Sequence, residues 1–279
     1  MEFSLSEEQE AIFDVAYSFG QENIAPFAIQ WENQGTIPKE LWGKISELGF
    51  GGIYVSEEYG GSGLSRLDAT LIFEALAMAC PSVGSFLSIH NMVGGMIDKF
   101  GSDQNKESFL PDLCSMKKIF SYCLTEPGSG SDASALKTKA TRTNEGFILN
   151  GTKSFISGGA YSNAYLTMTR TGEDGPKGIS AIIVEDPSDG LSFGAFEDKM
   201  GWRAQPTAQV QFDDCRVPSS NLIGDEGYGF TYAMAGLDGG RLNIAASALG
   251  GAQFALDSSL TYMNERKAFG KNLNQFQAL

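Results

Sequence analysis

The sequence predicts an α+β protein with a helical N-terminal domain, a middle antiparallel β domain and the start of a C-terminal helical bundle. Apolar residues recur at helical spacing up to about Lys118, alternate with polar residues in the middle of the chain, and return to helical spacing from about Gly227. We place the domains at residues 1–118, 119–225 and 226–279. With 279 residues, 42% of them hydrophobic, the chain can bury a substantial core, which argues against a disordered or collagen-like protein.

Five helices are predicted in the first domain. Ser6 and Gln9 form a capping box at the start of the first helix, and Ser65 is the expected N-cap of the third. Thr36 is the expected N-cap of the second helix, which should stop at Gly49. The first helix bends or ends at residue 26, the fourth covers about 82–99, and the fifth runs through 107–109 towards 117.

Short alternating segments predict the strands of the middle domain. Turn signals at 144–146 and at Asn150-Gly151 favour antiparallel hairpins. The segment 136–141 also alternates. The predicted strands are residues 120–125, 146–150, 164–169, 179–184 and 208–212.

The last helical segment runs from about Gly227 to Met263. Glycines at 236, 239, 240, 250 and 251 each weaken a free helix by about 1 kcal/mol relative to alanine. Another element must therefore approach the backbone of this helix closely. The chain stops at Leu279 in mid-pattern, so we expect an incomplete domain.

Charge, cysteine and leader signals exclude several classes. With 20 basic and 34 acidic residues the net charge is −14, which argues against a nucleic-acid binder. The four cysteines form no C-x-x-C pair and are expected to be buried thiols in a reducing compartment. His90 should be a helix-packed polar residue, and no metal site is expected. Neither a targeting leader nor a membrane-spanning run is apparent, so the cytoplasm or an organelle matrix is expected.

The loop at 125–132 is the first candidate site. Its segment 128–133 fits G-x-G-x-x-A, but the alternation that follows argues against the helix that a dinucleotide fingerprint requires. Backbone donors and hydroxyls crowd this turn, which suits a flat, edge-polar ligand or an anion. An ordinary Gly/Ser loop is the alternative.

Four segments taken together resemble the acyl-CoA dehydrogenase family. They are YCLTEPGSGSD at 122–132, NGTKSFIS at 150–157, DGGR at 238–241 and ERKAFGK at 265–271, in the family's order. The resemblance covers essentially the whole chain. Segments 61–68, 72–77 and 88–92 make it closest to the short branched-chain members.

The resemblance implies FAD and acyl-CoA as ligands. Thr125 would bond the polar edge of the flavin, Phe155 would flank the ring, and Ser157 would bond its reactive nitrogen side. Arg266 would hold the FAD pyrophosphate of a neighbouring subunit. The implied FAD residues are Tyr122, Cys123, Leu124, Thr125, Glu126, Pro127, Gly128, Ser129, Gly130, Ser131, Phe155, Ile156, Ser157, Arg266, Phe276 and Gln277; the implied substrate residues are Ser131, Asp238, Gly239, Gly240 and Arg241.

Three of these residues have other interpretations. Phe155 could be a core aromatic of a strand, Arg241 could form a structural ion pair, and Arg266 could be a solvated charge. The family's reaction also needs a carboxylate base. In most members it lies in a segment beyond Leu279, and in a minority at the place that Gly240 holds here. The resemblance assigns Glu126 to the flavin loop, so we assign no catalytic residue.

The implied function is α,β-dehydrogenation of a short branched-chain acyl-CoA, with isobutyryl-CoA favoured, in fatty acid and branched-chain amino acid catabolism. Electrons would pass to an electron-transferring flavoprotein, and the complete protein would be a homotetramer in the bacterial cytoplasm or the mitochondrial matrix. An acyl-CoA oxidase or flavin monooxygenase on the same scaffold, and a non-catalytic flavin- or acyl-CoA-binding chain, remain alternatives. Because a partial bundle leaves apolar stripes uncovered, we expect the isolated chain to be poorly stable or to aggregate.

Overall fold

The computed structural model describes residues 4–277. Residues 1–3 and 278–279, which the first and last predicted domains include, lie outside the described residues. The helices are α1 (Glu7–Asn23), α2 (Ala28–Gln34), α3 (Lys39–Glu47), α4 (Arg66–Ala79), α5 (Pro81–Phe100), α6 (Asp103–Cys114) and α7 (Gly229–Glu265). The strands are β1 (Phe120–Cys123), β2 (Lys139–Arg142), β3 (Gly146–Ser157), β4 (Ala164–Arg170), β5 (Ile179–Glu185), β6 (Leu191–Phe196), β7 (Thr207–Pro218), β8 (Leu222–Ile223), β9 (Lys267–Ala268) and β10 (Lys271–Asn272).

The N-terminal helices follow the predicted caps with one exception. The capping boxes at Ser6 and Ser65 are both confirmed. The prediction of Thr36 as an N-cap is wrong, because α3 begins at Lys39 after Pro38, which makes no side-chain cap bond. The short helix α2 was not predicted. The chain passes Pro26 in a single 3₁₀ turn and then resumes a helix.

A largely antiparallel sheet forms the middle of the chain, in the order β6-β7-β3-β2-β4-β5-β8. The predicted antiparallel domain also contains parallel pairing. Strand β1 pairs in parallel with β4, because the two are joined through β2 and β3 rather than by a hairpin. β2 also meets the end of β4 in parallel, through a single residue pair. The described sheet also includes β6, which was not predicted.

The two predicted turns have different outcomes. Residues 143–145 do join β2 to β3 as an antiparallel hairpin. The turn predicted at Asn150-Gly151 is wrong, because both residues lie inside β3, where the pairing with β7 shifts register. Gly151 has φ +148°, and a Cβ there would lie 2.6 Å from the Thr138 hydroxyl oxygen. The glycine therefore serves a bulge next to β2 rather than a turn.

The long helix α7 packs against α4 and α5, and glycines make that contact possible. A Cβ on Gly236 would lie 2.7 Å from the sulfur of Met96, and one on Gly239 would lie 2.5 Å from the Arg66 guanidinium. A Cβ on Gly250 would overlap the backbone carbonyl oxygen of Glu74. The predicted close approach to this helix is confirmed.

The other side of α7 leaves large apolar side chains exposed. This face matches the expectation of an incompletely covered helix, while the predicted instability of the isolated chain stays a prediction. The exposed apolar residues of this face are Leu242, Leu249, Phe254, Leu256, Leu260 and Tyr262.

All four cysteines are free and buried, as predicted. Among residues 4–277, none of the helices is long and apolar enough to cross a membrane.

Candidate active site

A cavity of about 520 Å³ lies where the N-terminal helices, the sheet and α7 meet. One wall comes from the end of β1 and from β3, and the opposite wall comes from α5 and α7. The lining residues are Ser88, Ile89, Met92, Tyr122, Leu124, Thr125, Phe155, Ile156, Ser157, Leu237, Gly240, Arg241 and Ile244.

Strand β1 sends alternate side chains to the cavity. Tyr122 and Leu124 face it, whereas Cys123 lies between them in the core cluster on the other face of the sheet. The Tyr122 hydroxyl is buried and has no hydrogen-bond partner among the described residues. Burial also raises the pKa of this phenol far above its ordinary value, so it is a neutral donor. An unpaired buried hydroxyl at a cavity wall is suited to a bound ligand.

Strand β3 contributes an exposed aromatic ring and a hydroxyl. Phe155 has φ +58° and is 67% exposed, so the alternative of a core aromatic does not hold. Two residues later, the Ser157 hydroxyl accepts a hydrogen bond from the Gln205 side chain. Gln205 in turn accepts a 2.6 Å bond from the Ser85 hydroxyl on α5. The Gln205 side chain thus ties the two walls of the cavity together.

Glu126 is occupied by structural contacts and does not line this cavity. Its carboxylate lies 2.8 Å from the Lys153 ammonium and accepts the backbone N–H groups of Lys137 (2.6 Å) and Thr138 (2.9 Å). Burial acts to raise the pKa of the Glu126 carboxyl, but the Lys153 charge and these hydrogen bonds outweigh burial and lower it. Glu126 is therefore an ionised carboxylate that anchors the loop to β3.

The rest of the glycine-rich loop turns away from the main cavity. Glu126 and Ser129 exchange backbone hydrogen bonds of 2.9 and 3.1 Å, and the following residues form a 3₁₀ turn (Ala133–Ala135) instead of the helix of a dinucleotide fingerprint. Pro127, Gly128 and Ser129 line a separate cavity of about 260 Å³. Gly130 and Ser131 are exposed and line neither of these two cavities. Their predicted contacts with FAD and acyl-CoA stay predictions.

Helix α7 brings two of its predicted residues to the cavity. Gly240 and Arg241 line it, whereas Asp238 and Gly239 do not. Arg241 lies 3.5 Å from Asp238, but both side chains are about three-quarters exposed. An exposed pair on one helix contributes little to stability, so Arg241 keeps a charge available at the cavity edge.

The predicted residues near the end of α7 lie apart from this cavity. Arg266 is exposed and follows the last residue of the helix. Phe276 packs edge-on against Phe269 with ring centres 6.2 Å apart, and the Lys271 ammonium lies 4.2 Å above its ring centre. Gln277 follows in a turn. Their assignment to the FAD of a neighbouring subunit stays a prediction.

Sequence analysis missed five of the cavity residues on the two helices. Ser88, Ile89 and Met92 project from α5, while Leu237 and Ile244 project from α7. Residues 88–92 carried part of the family resemblance, but an apolar stripe on a helix gives no sign that it lines a cavity. Only the arrangement of three separate parts of the chain reveals it.

His90 lies on α5 directly behind these residues and is a satisfied core histidine, as predicted. Its Nε2 is 3.0 Å from the Leu113 carbonyl oxygen, and its Nδ1 accepts the Phe120 N–H at 3.0 Å. These partners assign the tautomer with the proton on Nε2. Burial lowers the pKa of the His90 imidazole from 6.5 to about 4. The neutral ring joins α5 to the end of α6 and the start of β1.

The comparisons with known proteins follow the same three-part arrangement. Domain models of acyl-CoA dehydrogenases match residues 6–117 (N-terminal domain), 121–215 (middle domain) and 227–279 (C-terminal domain). The solved butyryl-CoA dehydrogenase of Megasphaera elsdenii superposes with a TM-score of 0.95 at 38% identity, covering 100% of this chain and 74% of that one. The chain belongs to the acyl-CoA dehydrogenase family.

One curated relative and one further solved structure extend the comparison. The mitochondrial isobutyryl-CoA dehydrogenase of Dictyostelium discoideum is 54% identical over 99% of this chain. The chain spans 66% of the length of that relative. A chain in the structure described as the electron transferring flavoprotein of Acidaminococcus fermentans superposes with a TM-score of 0.96 at 39% identity, covering 100% of this chain and 74% of that one.

Proposed function

We propose that this chain forms the larger part of an FAD-dependent acyl-CoA dehydrogenase that converts a short branched-chain acyl-CoA, isobutyryl-CoA first, to the enoyl-CoA. The observation that carries the proposal is the cavity between the domains. Its sheet wall carries the hydroxyl-bearing residues Tyr122, Thr125 and Ser157, while its helix wall is mainly apolar. The similarity to the Dictyostelium enzyme supports isobutyryl as the acyl group.

The sheet wall fits a flavin. Tyr122 offers a buried hydroxyl that has no hydrogen-bond partner within residues 4–277, and the Ser157 hydroxyl lies on the same wall. The exposed ring of Phe155 can flank a planar ring system, with Thr125 bonding its polar edge. When bound, FAD supplies the acceptor for the two electrons and the hydrogen that leave the β-carbon. Hydroxyl donors beside the reactive side of the ring favour the charge that reduction brings.

The helix wall fits an acyl thioester. Ile89, Met92, Leu237 and Ile244 enclose the space with apolar atoms that exclude water from a short acyl group. Arg241 is a cation at the edge of the cavity in a chain of net charge −14. Its exposed guanidinium suits the phosphates of coenzyme A.

The proton at the α-carbon needs a base from elsewhere. Among the described residues that line the cavity there is no carboxylate, and Gly240 has no side chain. Glu126 is held by Lys153 and two backbone N–H groups, which leaves it no role in proton transfer. The proposal therefore requires a carboxylate from outside residues 4–277.

We also propose an electron acceptor, an oligomeric state and a cellular location for the complete protein. Electrons would leave to an electron-transferring flavoprotein, which the Acidaminococcus neighbour supports. Arg266, Phe276 and Gln277 lie away from the cavity, which supports their use by the FAD site of a neighbouring subunit in a homotetramer. The cytoplasm of a bacterium or the mitochondrial matrix would be the location, and the Dictyostelium relative is mitochondrial.

An anaerobic titration with isobutyryl-CoA tests the proposal through the visible flavin absorption. In a protein that adds the remaining third of the relatives' length, isobutyryl-CoA should bleach the flavin absorption. In the 279-residue chain the yellow flavin colour should remain, without bleaching. Bleaching of the 279-residue chain would mean that it contains the base. An unchanged spectrum of the longer protein would contradict the dehydrogenase proposal, and oxygen consumption during turnover would indicate the oxidase alternative.

A further inference from the structure

We propose that the Met92 side chain is the wall that limits the length of the acyl group. The inference rests on the proposed acyl-CoA substrate and concerns a second cavity, of about 240 Å³, next to the candidate active site. Met92 lines both cavities. Removing this side chain would join the two spaces.

The second cavity continues between the same two helices. Its walls come from Gly95, Met96 and Phe100 on α5 and from Ala235 and Gly236 on α7. These residues lie one to two turns from Met92 and from Gly240, which border the first cavity. The two cavities therefore succeed each other along the α5–α7 contact, and Met92 stands between them.

Glycines on α7 leave Met92 as the side chain that separates the cavities. A Cβ on Gly240 would lie 3.3 Å from the Met92 sulfur, and a Cβ on Gly236, one turn earlier, would lie 3.5 Å from its Cγ. The methionine thus runs along a bare stretch of α7 backbone. Because neither glycine can supply a wall of its own, the separation depends on a single unbranched side chain.

The second cavity is large enough to matter for substrate choice. A group the size of a water molecule occupies about 30 Å³. The second cavity, of about 240 Å³, therefore has room for several methylenes. Its far end is polar, with Arg66, Asp98 and Lys99. A straight acyl chain extended past Met92 would bury its first added methylenes between Met96 and Gly236 before it reached these charges.

Substitution of Met92 in the full-length holoenzyme tests the inference. Met92→Ala should raise the ratio of kcat/KM for hexanoyl-CoA to that for butyryl-CoA by about 15-fold, at about fourfold for each of two buried methylenes. The dissociation constant of hexanoyl-CoA, measured by calorimetry, should fall in parallel. Met92→Leu conserves the volume of the wall and should keep the preference for short chains.

Two further variants complete the test. Met96→Ala enlarges only the second cavity and should leave the ratio unchanged, since Met92 still closes the entrance. Met92→Val removes part of the wall and should give a smaller shift in the same direction, which keeps the test valid if Met92→Ala does not fold.

The outcomes separate the inference from the function on which it rests. A parental enzyme that dehydrogenates butyryl-CoA and hexanoyl-CoA equally well, or alanine and valine variants with an unchanged ratio, would overturn the role of Met92 alone. A parental enzyme that neither binds nor dehydrogenates any acyl-CoA would overturn the proposed function and the inference together.

Discussion

His90 gives the fold a pH dependence that can be assigned to one residue. It is the single histidine of the chain, is 1% exposed, and uses both ring nitrogens in hydrogen bonds. Protonation would put a donor on Nδ1, where the ring now accepts the Phe120 N–H. It would also place an unpaired charge in the core that joins α5 to β1.

The lowered pKa of His90 sets both the direction and the size of the change in folding stability with pH. The unfolded chain takes up a proton below pH 6.5, whereas the folded chain does so only near pH 4. Between these values the unfolded state binds more protons, so the contribution of His90 to stability is fully present above pH 6.5 and is lost as the pH falls towards 4. The whole shift corresponds to about 3 kcal/mol, of which about 2 kcal/mol is lost between pH 7 and pH 5.

Two measurements check this prediction. Because the chain has one histidine, the two imidazole ¹⁵N resonances of labelled protein both belong to His90, and their titration reports its folded pKa directly. Urea unfolding at pH 7 and pH 5 should show a loss about 2 kcal/mol larger in the parental protein than in His90→Gln, which keeps the other titrating groups. A folded pKa near 6.5, or equal losses in the two proteins, would refute the reasoning.

Two more predictions concern the walls of the candidate site. Glu126→Ala should lower the free energy of unfolding by about 3–5 kcal/mol, because the buried Lys153 ammonium loses its counter-ion. A Glu126→Met/Lys153→Met double variant should recover part of the loss in urea unfolding, since it removes the unpaired ammonium but still leaves the Lys137 and Thr138 N–H groups without their acceptor. A double variant no more stable than Glu126→Ala would contradict this account. Tyr122→Phe should raise the melting temperature of the flavin-free protein, because an unpaired buried hydroxyl costs about 1–3 kcal/mol, and should weaken flavin binding. A lower melting temperature without flavin would count against the unpaired hydroxyl.

Local sequence signals predict local structure well. The capping boxes at Ser6 and Ser65 form because the side chain and the amide that it caps are three residues apart. The turn signal at Asn150-Gly151 fails for the opposite reason. Pairing of β3 with β7, more than 50 residues away in sequence, extends the strand through both residues and turns the glycine into a bulge.

The candidate site depends still more on long-range contacts. The motif at 122–132 indicated the Tyr122 side of the cavity, but the pairing of Glu126 with Lys153 joins residues 27 positions apart, and no spacing rule predicts it. Met92 and Ile244 are ordinary members of apolar helix stripes until α5 and α7 are brought together. Sequence patterns pointed to residues that line the sheet wall and missed the shape of the helix wall.

The glycines of α7 connect the stability of the fold to the shape of the site. Each costs the free helix about 1 kcal/mol relative to alanine, yet Gly236 and Gly250 lie where a Cβ would collide with α5 or α4. Close packing therefore offsets the loss of helix propensity at these two positions. Of the atoms in the described part of the chain, a Cβ at Gly240 would meet only the Met92 sulfur, 3.3 Å away, so packing within this part does not require glycine there. What the bare backbone at Gly240 provides is space in the cavity, so this glycine shapes the candidate site, whereas Gly236 and Gly250 serve the contact between helices.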